Sequence, residues 1–119
     1  MTMKTKNLLL SFIIICNAEY LSAATYVVDN NGDVDNAAAY TLGDGTNTLR
    51  KCIRLANAVA GADIINFNIV GAPPHTITLI VNLLPITVNA SSTVINGNSQ
   101  PGGSFPKITV DGVDLYKTC

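Results

Sequence analysis

The sequence predicts an all-β chain with one short helix, the strands following one another as the coils of a solenoid. Three observations point there. First, β-type runs recur at roughly ten-residue spacing after residue 62, each closed by Pro, Gly or Asn. Second, only one segment, near residue 50, has the apolar period of a helix. Third, Asn, Thr and Gly supply the polarity from residue 25 on, and the one Glu, Glu19, lies before it. That composition suits turns and stacked side chains and is poor for exposed helices.

The chain opens with Lys4 and Lys6, then an apolar run from Leu8 to Cys16, then the small residues Ser22, Ala23 and Ala24. This is the layout of a secretory leader over 1–24, with cleavage expected before Thr25. Nine residues of helix rise about 14 Å, too little to cross a bilayer, so no membrane span is expected in the processed chain. Bulky Ile15 disfavours lipid attachment at Cys16. Export to the cell surface or medium follows as an expectation.

From residue 25 the elements read in order. Tyr26–Val28 is a short strand, and a polar, turn-rich loop follows from Asp29 to Asn36. Together with an aperiodic stretch ending in Gly43-Asp44-Gly45, they make up 25–47. Segment 48–61 is the helix, expected over about 49–59. Leu49, Cys52, Ile53 and Ala56 fall at i, i+3, i+4 and i+7, so they share one apolar face. Thr48 is placed to cap the first turn, and Gly61 to end the helix in a left-handed conformation.

Segment 62–112 then changes to period two. Ile65, Phe67 and Ile69 alternate with Asn66 and Asn68, and Ile77, Leu79 and Val81 with Thr76, Thr78 and Ile80. Ile86–Val88, Thr93–Gly97 and Ile108–Gly112 are further β runs. Corners rather than matched hairpins join most of them, which fits stacked coils at least as well as a sandwich.

These residues also carry a resemblance. Thr48-Leu49-Arg50-Lys51-Cys52-Ile53-Arg54-Leu55-Ala56-Asn57 is similar to the S-L-R-E-A-I-x-x-A-N segment of secreted bacterial right-handed parallel β-helix proteins, adhesin-like members of the pectate-lyase-like superfamily. Gly61-Ala62-Asp63-Ile64-Ile65-Asn66-Phe67 resembles the G-A-D-T-I-x-F strand after it. Pro74-His75-Thr76-Ile77-Thr78-Leu79, Leu84-Pro85-Ile86-Thr87 and Thr93-Val94-Ile95-Asn96-Gly97 with Gln100-Pro101-Gly102 resemble later pieces, in the same order. The resemblance implies a capping helix over the start of a β-helix, with Thr48, Leu49, Cys52, Ile53, Ala56 and Gly61 as cap residues. Lys51 departs from it. A Glu there would reach back to the cap residue's N–H, so Lys51→Glu is expected to raise the melting temperature.

No catalytic constellation is legible. His75 is the single imidazole and has no placeable partner. Asp29, Asn31, Asp33 and Asp35 could offer oxygen ligands to Ca²⁺, but they lack the Gly and bidentate Glu of an EF-hand register, so a solvated turn is the plainer reading. The spacing of Cys52 assigns it to the helix's apolar face, although pairing with Cys119 stays open. Asn66, Asn68, Asn89 and Asn96 could form ladders or face carbohydrate, and Asn89-Ala90-Ser91 fits an N-glycosylation site.

The net charge of −1 and scattered basic residues exclude a nucleic-acid surface. No cofactor or metal is expected. The favoured function is non-enzymatic presentation by an adhesin-like or structural protein, with carbohydrate or a host or cell-surface protein as partner. The alternative is the front of a β-helix polysaccharide lyase. The short tail 113–119 offers no closing cap, so the chain is expected to be the front end of a longer protein.

Overall fold

A computed structural model describes residues 22–87 and 92–112. The leader before Ser22, Asn89 and the 113–119 tail with Cys119 lie outside the described residues. Strands β1 (Thr25–Val28), β2 (Ile64–Phe67), β3 (His75–Thr78), β4 (Val94–Asn96) and β5 (Ile108–Asp111) accompany one α-helix, α1 (Leu49–Ala58). A 3₁₀ turn at Gly97–Ser99 follows β4.

The fold is β-rich, with two small parallel sheets. One has the order β1-β2-β4 and the other pairs β3 with β5. Parallel neighbours need long crossovers, which is why each strand meets a partner distant in sequence. The registers align Tyr26 with Ile65 and Ile65 with Ile95, and Ile77 with Val110. Period-two alternation turns one set inward: Tyr26, Val28, Ile65 and Phe67 in the first sheet, His75 and Ile77 in the second, all buried. Asn66 and Asn96, 30 residues apart, join side chains at 3.2 Å, a ladder step between two of the expected Asn residues. Asn68 is exposed. The β3 alternation continues to buried Leu79, but Val81 is exposed and gives its carbonyl to Arg50. Ile86 and Thr87 form no strand.

The apolar face of α1 is the expected one. Leu49, Cys52, Ile53 and Ala56 are buried in one cluster with Tyr26, Val28, Ile65 and Phe67. Thr48 caps the helix, its hydroxyl accepting from Lys51 N–H at 3.2 Å. Gly61 departs from expectation. The helix stops at Val59, in extended geometry, whose N–H returns to the Ala56 carbonyl. Gly61 serves close approach instead, because a Cβ there would lie 2.5 Å from the Ser22 carbonyl oxygen.

Lys51 also overturns its expectation. Its side chain is fully buried, and Nζ donates to Thr46 Oγ1 at 3.0 Å. Its charge lies near carboxylates. Asp35 is held below the usual range mainly by Arg54, and Asp44 mainly by the Thr46 N–H, with Lys51 adding to both. A Glu at position 51 would bury a negative charge among them. Lys51→Glu is therefore expected to lower stability by at least about 1 kcal/mol, read as a lower melting temperature.

Side chains finish the ladder of β2 where β4 ends. Ser99 Oγ accepts from Phe67 N–H at 2.7 Å and donates to the Asn96 carbonyl at 2.6 Å. The buried Gln100 amide then takes both backbone groups of Ile69, N–H at 2.8 Å and C=O at 2.9 Å. Gln100 thus imitates one residue of a neighbouring strand. Gln100→Leu keeps the volume but strands two buried backbone groups, at about 1–3 kcal/mol each. Thermal melts of the variant are expected to show that loss, and an unchanged midpoint would refute the ladder role.

Candidate functional site: a cleft at the start of the helix

The loop 29–36 is a clasp on α1 and its approach. Asp29 accepts from Asn47 N–H (2.8 Å), Asn47 Nδ2 (2.9 Å) and Gly45 N–H (3.2 Å). Asp33, buried, takes Arg50 Nε at 3.0 Å on one oxygen. Its other oxygen takes Arg50 Nη2 at 2.7 Å and Ile80 N–H at 2.8 Å. Asp35 pairs with Arg54 through Nε and Nη2 and accepts from Ala37 N–H. Burial pushes the Asp33 carboxyl up, yet the bonds from Arg50 and Ile80 outweigh it and hold it below its ordinary value. Arg54 does the same for Asp35.

These partners give the calcium candidates structural tasks. Asp29, Asp33 and Asp35 each turn to a different group, and Asn31 is exposed. Among the described residues, no three His, Cys, Asp or Glu side chains gather where they could hold a metal ion.

The stretch after the clasp, 37–47, closes the outer edge of β1. Val27 N–H donates to the Tyr40 hydroxyl at 3.0 Å, and Asp29 N–H to the Asn47 carbonyl at 3.0 Å. Tyr40 also meets Tyr26 edge to face, ring centroids 5.2 Å apart. An edge strand otherwise offers such groups to any passing chain. On the far side, no strand pairs beyond β4 or β5 among the described residues.

Between the clasp and the start of α1 lies an open cleft of about 320 Å³, lined by Asn30, Gly32, Val34, Asn36, Thr46 and Thr48. Amides, hydroxyls and one aliphatic side chain line it. None of these lining side chains is ionisable, and the amides and hydroxyls among them can donate and accept hydrogen bonds.

The other reactive candidates lie elsewhere. His75 is the first residue of β3. It is buried on the inner side of β3, in register with Ile108, and Nε2 has no hydrogen-bond partner among the described residues. Among the described residues Cys52 is a buried thiol with no disulfide partner, and burial pushes its pKa up to about 12, so as a thiol it stays protonated at neutral pH.

Sequence reasoning missed Arg50, Arg54, Tyr40 and Gln100. The two Arg lie at i and i+4 on α1 while Asp33 and Asp35 are two apart, a matching pattern that could have been read. Nothing in the aperiodic stretch singles out Tyr40. Compared with known proteins, the chain matches no family model, no curated protein and no solved structure.

Proposed function

We propose that this is the capped start of an exported, right-handed parallel β-helix that presents a rigid surface and catalyses no reaction. The observation that carries the reading is the asymmetry of the first sheet. Inward residues stack from strand to strand in parallel register. The β1 edge is closed by Tyr40 and Asn47, while β4 has no strand beyond it among the described residues. A capped end and an extendable end are what a solenoid requires of its first coils.

In this reading the chain is adhesin-like or structural. Its partner is a neutral carbohydrate or a cell-surface protein, met through Asn and Thr side chains such as those of the cleft. The leader motif supports export, and the absence of ionisable groups from the cleft supports binding over chemistry.

Fractionating cells that express the full chain tests export, and a neutral glycan panel beside a lyase assay on pectin-type substrate tests activity. The expected result is a protein outside the cytoplasm that releases no unsaturated product. Release of such product would favour the polysaccharide-lyase alternative, and retention in the cytoplasm would remove the export reading.

A further inference from the structure

Residues 22–24, assigned above to the leader, are built into the fold. Ala24 packs against the core cluster. Its N–H donates to Asp63 Oδ1 at 2.9 Å, and its carbonyl accepts Ile64 N–H at 2.9 Å, extending the β1–β2 ladder by one residue. Ser22 passes so close to Gly61 that only a residue without a side chain fits there. Asp63 is 1% exposed, and its Oδ2 has no hydrogen-bond partner among the described residues. A cut before Thr25 would remove the Ala24 N–H from Oδ1 as well. It would also leave the Ile64 N–H without its acceptor.

We infer that the leader is cut upstream of Ser22, at the Ala18–Glu19 bond, so that the mature protein begins at Glu19 and keeps residues 22–24 as the lead-in to β1. Cys16-Asn17-Ala18 closes the apolar run and places small residues, Cys16 and Ala18, at the two positions a signal peptidase reads. The reaction is hydrolysis. A peptidase of that class adds water across the bond, leaving a carboxylate on Ala18 and an amine on Glu19. The inference rests on the export reading and corrects the cleavage point expected from Ser22-Ala23-Ala24.

Intact mass and N-terminal sequencing of the product exported from cells expressing the full chain test it. A mature N-terminus at Glu19 is expected, and one at Ala23, Ala24 or Thr25 overturns the inference. An unprocessed chain in the cytoplasm is a different failure, recognised by its mass and location, and it takes the leader itself away. Gly61→Ala, exported in the same way, adds a second measurement. Its new Cβ meets the retained Ser22 carbonyl, so its melting temperature is expected to fall clearly. An unchanged value would show that Ser22 is not there.

Discussion

Arg50→Ala is expected to destabilise the protein by about 3–5 kcal/mol, because it leaves the Asp33 carboxylate buried without its ion pair. Arg50 does more than neutralise Asp33. Its Nη1 donates to the Asn82 carbonyl at 2.9 Å and its Nη2 to the Val81 carbonyl at 2.7 Å. One guanidinium therefore ties the 29–36 loop, α1 and the segment after β3 together. For a small domain each kcal/mol moves the midpoint by roughly 4–8 °C, so the variant should be largely unfolded near 37 °C. Asp33→Leu combined with Arg50→Met removes both charges and is expected to recover part of the loss. Equal destabilisation of the single and double variants would mean that the pair itself is not what is lost.

The same clasp sets an acid limit. Asp33 and Asp35 are depressed below their ordinary value of 3.8 in the folded chain. Their contribution is thus fully present above about pH 4 and is lost as pH falls through the lower folded values. Acid titration of the melting temperature is expected to show a decline below pH 4 that is much smaller in the Asp33→Leu, Arg50→Met double variant.

Ile65→Ala and Ile95→Ala are expected to differ severalfold although they change the same side chain in the same column. Ile65 is fully buried in the central strand, between Tyr26 and Ile95, and its truncation should cost about 2–5 kcal/mol. Ile95 continues that column but is 41% exposed. Its loss should cost under about 1 kcal/mol, because less apolar area leaves a packed environment. Denaturant midpoints of the two variants check this. Equal losses would mean that Ile95 is covered as Ile65 is, and that another layer rests on β4.

Much of the scaffold was legible because its cause is local. The face of α1 follows from Leu49, Cys52, Ile53 and Ala56, and the inner sides of β2 and β3 from plain alternation. Period reports which way a side chain faces and not what it meets. The bond from Ile80 N–H to Asp33 spans 47 residues, and that from Gln100 to Ile69 spans 31. No local pattern encodes such pairings. Lys51 shows the converse error, since its helical position alone suggested a poor capping residue while the packing made it a buried donor to Thr46. The cleft was illegible for the same reason, because it forms only when the clasp brings Asn30 and Asn36 beside Thr46 and Thr48.

The central claim is that successive strands stack in parallel at the stated register. An Asn66→Cys, Asn96→Cys variant tests it directly, since those residues are aligned partners whose side chains already touch. Mild oxidation, read by free-thiol count and mass, is expected to join them within one chain, as neighbouring aligned strands allow. The Asn66→Cys, Val94→Cys control should stay reduced. Crosslinking in the control but not in the aligned pair would contradict the stacking on which the account rests.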